Sequence, residues 1–254
     1  MKAWLFTLFG FALLSGFSAR AGAAVRNEGG KVAIENAHVK ALIDPSKGAR
    51  LEALFSKHAA EPVQVVSGPC LVESVVLPDD KLMSLADAEF TVKDALTFVA
   101  MLPKGEPMGR PGQEYEVPFF EEADYSAVRL EKAFALADDE AALRVKYRLT
   151  NTGQREVVVC LALHQQFADP KARSAKFFVP TTTGTVVFHD RQAKQDFGRL
   201  AEDWVAVLSD RGCGAVRRFD PRRLSLVRIT ADGSRRVDVF TTRAALAPGG
   251  SWEM

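Results

Sequence analysis

Two strictly alternating segments constrain this chain more than anything else in it. Leu143, Val145, Tyr147 and Leu149 interleave with Arg144, Lys146 and Arg148. A period of two, with one apolar row and one charged row, describes a strand with one face buried and the other wet. Ala127 to Leu136 alternates in the same way, and the acidic turn Asp138-Asp139-Glu140 separates the two. Beyond them, Asn151-Thr152-Gly153-Gln154 turns the chain into Val157 to Leu163. That near-continuous apolar run is the pattern of a strand covered on both faces.

The same punctuation recurs throughout. Val39 to Ile43 and Leu51 to Phe55 flank Asp44-Pro45-Ser46-Lys47-Gly48, a turn with Pro and Gly in suitable places, and predict a hairpin. Cys70 to Leu77, Phe177 to Val179, Thr185 to Phe188, Trp204 to Leu208 and Ala215 to Phe219 are further short strands. Asp232-Gly233 is a hairpin-type turn between Leu224 to Thr230 and Val237 to Thr241. One segment, Ala193 to Leu200, has helical spacing. So many strands, at intervals of about 8–12 residues, predict an all-β antiparallel sandwich or barrel. The last strand begins after Leu246-Ala247-Pro248-Gly249-Gly250 and stops within a few residues, so it is either cut short or unusually short.

The first residues read differently. Met1-Lys2 precedes an apolar stretch from Ala3 to Phe17, and Ala21-Gly22-Ala23 closes it. A positive start, a short apolar core and a small-x-small end are the parts of a secretory signal peptide. A spanning helix takes about 20 apolar residues, and Gly10 and Gly16 interrupt this run. We therefore expect residues 1–23 to be a signal peptide and residues 24–254 a single β-sandwich domain, periplasmic or secreted. The leader holds Lys2 and Arg20 and no acid, so the basic and acidic residues of the remainder nearly cancel. That balance gives no general attraction to nucleic acid, and after cleavage none to a membrane surface. Three cysteines, Cys70, Cys160 and Cys213, form no C-x-x-C pattern, and free thiols are expected.

Several segments, in this order, resemble the galactose mutarotase-like (aldose 1-epimerase-like) β-supersandwich superfamily. They are Ile34-Glu35-Asn36 with Ala41 to Leu51, then Leu143 to Gly153 followed by Val157 to His164, and last Leu246 to Glu253. The resemblance implies a large antiparallel sandwich whose concave face binds sugars, making the chain an exported carbohydrate-binding protein. It also implies an alternative, a sugar-active enzyme of the mutarotase or glycoside-processing kind. In the aldose mutarotases a His after the Thr-Asn-x-Gly strand pair protonates the ring oxygen, and a late Glu takes the anomeric proton. General acid–base work of that kind sets one group on each side of the sugar. His164 matches the first role, although Gln165-Gln166-Phe167 follows it where the family often has Pro-Tyr-Phe. The late strand Arg236 to Thr242 has no Glu, and Asp238 is its only acid. A third reading is an accessory periplasmic domain without catalysis.

Candidate ligand contacts come from polar residues beside these strands. Gln166 follows His164, and His189 and Arg191 bracket Asp190 at another strand end. Tyr115 and Glu116 lie in a cluster of carboxylates and aromatic rings, the combination that covers a sugar's C–H faces and bonds its hydroxyls. Arg217, Arg218, Arg222 and Arg223 rim Phe219-Asp220-Pro221, an arrangement suited to an acidic sugar. The sequence contains no His-Glu-x-x-His or Cys/His cluster, and calls for no cofactor or metal. No Gly-x-Ser-x-Gly motif marks a serine nucleophile.

Overall fold

The computed structural model describes residues 7–8, 23–58, 61–70, 72–76, 82–86, 88, 90–94, 96–102, 125–137, 139–167, 172–189, 194–198, 200–231 and 235–254. Among these there is no α-helix, and the regular structure is almost entirely antiparallel strand. The chain opens with a five-stranded meander, from Ala24–Glu28 through Lys31–Glu35, Val39–Asp44 and Arg50–Ser56 to Val63–Cys70. The expected hairpin sits inside it. Asp44 Oδ1 accepts from Ser46 N and Ser46 Oγ at 3.0 and 2.7 Å, reinforcing the backbone bond from Lys47 N to the Asp44 carbonyl. Gly48 follows at φ +69, where a Cβ would lie 2.6 Å from the Leu85 carbonyl oxygen, so the turn needs glycine there.

The two alternating segments pair over their whole length, Val128 with Asn151 through to Leu136 with Leu143. Thr97–Met101 and Thr91–Asp94 continue that sheet on one side, and Ser251–Glu253 on the other. The short last strand is thus a paired one, and Met254 exchanges both backbone hydrogen bonds with Tyr147. A six-stranded sheet runs Gln195–Phe197, Leu224–Thr230, Arg236–Thr241, Leu161–Gln166, Val72–Val76, Leu82–Ser84. In a further sheet Gly214–Arg218, Trp204–Ser209, Ala175–Thr181 and Gly184–His189 lie side by side, with Thr7–Leu8 parallel to the first.

Two sequence expectations are corrected. Residues 195–197 of the expected helix form a strand, Gln195–Phe197, paired to Val227–Ile229. The apolar run from Val157 is not one strand. Val157–Val159 pairs with Ala244–Leu246, and Leu161–Gln166 joins the six-stranded sheet. The chain changes partners at Cys160, where Thr241 Oγ1 accepts from Leu161 N at 2.9 Å. Val158 is half exposed, so the first part of the run is not covered on both sides. Cys160 is buried and its thiol donates to the Thr241 carbonyl at 3.1 Å, and Cys213 is half-buried.

One apolar core draws on all the larger sheets, with Ile34, Phe98, Leu130, Leu149, Leu163, Phe177, Val205, Val227 and Val239 among its buried members. Inside it sits an ion pair. Lys132 Nζ lies 2.7 Å from Glu73 Oε1, and both side chains are almost wholly buried. Tyr147 Oη donates to the same oxygen at 2.9 Å. The Phe134 and Tyr147 rings stand 5.6 and 5.8 Å from the ammonium, within cation–π range. Glu73 belongs to the six-stranded sheet and Lys132 and Tyr147 to the sheet of the alternating pair, so the bond ties the two together through the core.

Burial pushes the Glu73 carboxyl above the usual carboxylate range, with Lys132 and Tyr147 opposing the shift. A carboxyl raised in the native state holds its proton longer than in the unfolded chain. Its contribution to stability is therefore full at low pH and falls as pH rises from the ordinary carboxylate range through the native value. Lys132→Met removes the partner from a buried acid and is expected to cost about 3–5 kcal/mol in urea unfolding, whereas Glu73→Leu with Lys132→Met restores most of that loss. A single Lys132→Met variant as stable as the parent would show that the pair does not tie the sheets.

Candidate functional site

The strand Val72–Val76 carries two adjacent polar residues, and alternation sends them to opposite faces. Glu73 enters the core, and Ser74 faces the other side. In the neighbouring strand Leu161, Leu163 and Gln165 are buried with Glu73, so Ala162, His164 and Gln166 share the face of Ser74. Register across the sheet then aligns a polar row. His164 stands opposite Asp238, Asp238 opposite Arg228, and Arg228 opposite Asp196. Ser74 is diagonal to His164, opposite Ala162.

The row is hydrogen-bonded in two sets, Arg228 with Asp196 and Asp238 with His164 and Arg236. Asp196 takes a two-point contact from Arg228, Nε to Oδ1 at 2.7 Å and Nη2 to Oδ2 at 2.8 Å. That fork holds the Asp196 carboxyl below its ordinary range. The Arg228 guanidinium also lies 5.1 Å from the Phe240 ring, which shares the face. Asp238 is 2 % exposed and His164 is 16 % exposed, so the acid is enclosed and the imidazole reaches solvent. Asp238 Oδ1 is 2.8 Å from His164 Nδ1, and Arg236 Nε donates to Asp238 Oδ2 at 3.0 Å. Ser74 Oγ is 3.0 Å from His164 Nε2. A carboxylate accepts only, so Nδ1 carries the imidazole proton in the neutral ring. Nε2 is then the acceptor, and the Ser74 hydroxyl donates to it.

His164 and Asp238 are therefore brought together as cross-strand neighbours. The carboxylate of Asp238 orients the imidazole of His164 through the Nδ1 bond. Gln166 shares their face, opposite Arg236. His189 does not join them. It is exposed at the end of the edge strand Gly184–His189, in a different sheet. Arg191, Tyr115 and Glu116 lie outside the described residues.

The arginines around Phe219 have work within the protein. Arg217 is buried and donates to the Leu163 carbonyl at 3.3 Å, beside the His164 strand. Arg218 binds Asp203, Arg222 binds Asp220, and Arg223 lies over the Trp252 ring. Among the described residues no group of three or more His, Cys, Asp or Glu is placed to hold a metal. No helix among them is long and apolar enough to cross a membrane. Ser74, Arg228 and Asp196 are the members of the row that sequence reasoning missed. The available signal for Ser74 was two adjacent polar residues, Glu73 and Ser74, within an otherwise apolar strand.

No family model matches the sequence, and no curated protein matches it. Solved structures do match the fold. A galactose mutarotase-like protein from Lactobacillus casei ATCC 334 superposes with a TM-score of 0.57 at 14 % identity, over 89 % of this chain and 98 % of that one. A putative aldose 1-epimerase from Klebsiella pneumoniae subsp. pneumoniae gives 0.56 at 12 %, over 91 % and 80 %. A TPR-domain containing protein from Parabacteroides distasonis ATCC 8503 gives 0.56 at 12 %, and covers 88 % of this chain. This chain spans 45 % of that longer protein. The fold is thus that of the galactose mutarotase-like proteins, as the sequence resemblance implied.

The geometry makes a specific demand on Asp238. Asp238→Asn offers Nδ1 of His164 an amide in place of a carboxylate and weakens the bond from Arg236. The expected loss is about 1.5–3 kcal/mol of stability in chemical denaturation. In nitrogen-15 NMR of the imidazole, the parent should show the proton on Nδ1 and the variant a shift toward the other tautomer. A parent already protonated on Nε2 in its neutral form would contradict the assigned hydrogen bonds.

Proposed function

We propose that this chain is an exported carbohydrate-binding protein whose ligand lies across the row from Asp196 to His164. The row itself carries the proposal. A saccharide presents hydroxyls that both donate and accept, and the row exposes the Asp196 carboxylate and the Arg228 guanidinium beside the partly exposed His164 ring, with Asp238 enclosed between them. Phe240, half-buried on the same face, supplies apolar surface for a sugar's C–H groups. The fold neighbours include proteins described as galactose mutarotase-like and as a putative aldose 1-epimerase, which agrees with a sugar on such a sheet. Export to the periplasm or outside the cell is the part of the proposal that rests on the leader, Met1 to Ala23.

A second reading is favoured by one contact. The 2.8 Å bond between His164 and Asp238 is the arrangement of an imidazole used as acid and base, and suits turnover of a bound sugar. Binding and turnover separate cleanly, because only turnover requires His164 to exchange a proton with the ligand.

Residues 24–254, screened by thermal unfolding against neutral and acidic mono- and oligosaccharides, should show a saturable rise in melting temperature with at least one class. At a hundredfold excess over Kd the stabilisation is about 2.7 kcal/mol, or a rise of about 5–10 °C in a domain of this size. Arg228→Ala should abolish the rise. A folded protein that responds to no saccharide would overturn the binding reading. For export, intact mass of the protein recovered from the periplasm or medium of a bacterial host should correspond to a chain beginning at Ala24. Recovery only of the full-length chain from the cytoplasm would refute it.

A further inference from the structure

The row ends in an arrangement that sugar binding does not require. Both ring nitrogens of His164 are engaged, Nδ1 by Asp238 at 2.8 Å and Nε2 by Ser74 Oγ at 3.0 Å. No ring nitrogen is left over to meet a ligand directly, so a proton passing between His164 and a ligand goes through the serine hydroxyl or displaces it. The three groups come from three adjacent strands, and are separated by 90 and 74 residues in sequence. Asp238 is held from its far side by Arg236, which fixes the carboxylate against the imidazole. An enclosed acid orienting Nδ1, with a hydroxyl on Nε2, is the connectivity that activates serine nucleophiles. Such a set is recognised by geometry and roles and not by sequence position.

We propose that Ser74, His164 and Asp238 form a nucleophilic triad, and that this face cleaves carboxylic esters. In the first step Ser74 Oγ attacks the ester carbonyl carbon while its proton passes to His164 Nε2. The tetrahedral adduct collapses, the bond from the carbonyl carbon to the leaving alkoxy oxygen breaks, and Nε2 returns the proton to the departing alcohol. Water then attacks the acyl-serine. His164 takes the water's proton and gives it back to Ser74 Oγ, and the carboxylic acid leaves. Asp238 keeps its charge throughout and steadies the imidazolium. The step balances with water alone as co-reactant. Arg236 uses Nε on Asp238 and so braces the carboxylate that orients the imidazole. Ser74 itself is 4 % exposed, and His164 forms the opening to solvent, so the substrate is one whose acyl group is small.

This inference extends the carbohydrate reading without depending on it, because the nucleophile acts on the ester whatever alcohol it carries. The test is covalent. The full chain is treated with diisopropyl fluorophosphate, and the adduct is located by peptide mass spectrometry. The expected result is one equivalent on Ser74, and a burst of one equivalent of nitrophenol from p-nitrophenyl acetate that Ser74→Ala abolishes. His164→Ala and Asp238→Asn should each slow labelling by a factor on the order of 10³–10⁴. Should His164→Ala fail to fold, the milder Asp238→Asn carries the same comparison. A Ser74 held only for structure would give no adduct in a protein that unfolds cooperatively, or an adduct whose rate ignores Asp238→Asn, and either overturns the proposal. The saccharide melting screen on untreated protein reads the binding function separately, so the two ideas can fail independently.

Discussion

The bond between Glu73 and Lys132 is the constraint from which the rest of the architecture can be followed. Two sheets meet in an apolar core, and each contributes one charged side chain to its interior. Neither charge is tolerable there alone, since an uncompensated buried ion costs several kcal/mol. Together, with Tyr147 donating to the same oxygen, they form a contact that is satisfied only when both sheets are in register. A slip of one residue in Val72–Val76 would turn Glu73 out of the core and Ser74 in. The buried pair thus opposes the slip that would destroy the outer row.

The polar row is the other side of the same strands. Because side chains alternate, fixing Glu73 inward fixes Ser74 outward, and fixing Leu163 and Gln165 inward fixes His164 and Gln166 outward. Val237 and Val239 do the same for Asp238, and Val227 and Ile229 for Arg228. The apolar face supplies the energy of association, and the polar face inherits its positions. The side chains that would meet a ligand are therefore placed by packing they do not share. The direct bonds among them, Ser74 to His164 to Asp238 to Arg236 and Arg228 to Asp196, set orientation within an alignment already made.

Much of the fold was legible in the chain. Alternation at Leu143 to Leu149 and at Ala127 to Leu136 gave a strand pair that the structure forms without a shift, and the turn from Asp44 to Gly48 closes as its residues suggest. The apolar run from Val157 was misleading for a physical reason. Apolar character reports burial on average, but not which neighbour provides it, and at Cys160 the chain passes from one partner strand to another. Ala193 to Leu200 showed helical spacing over too few residues to outweigh pairing with Leu224–Thr230, where Asp196 also gains the Arg228 fork.

His164 and Asp238 were readable because a resemblance in strand order pointed to them, and their types suit acid–base work. Their mutual contact, and the presence of Ser74, Arg228 and Asp196 beside them, were not readable. Strand periodicity states which residues share a face of one strand, and says nothing about which strand lies alongside or in what register. The sequence by itself determined that this chain builds short antiparallel strands with one apolar face each, because a period of two is local and each strand displays its own. Only the tertiary structure decided that residues 74, 164, 228 and 238 share one surface. Their strands are distant in the chain and become neighbours through cross-strand hydrogen bonds and a common core, and those are properties of the assembled sheets.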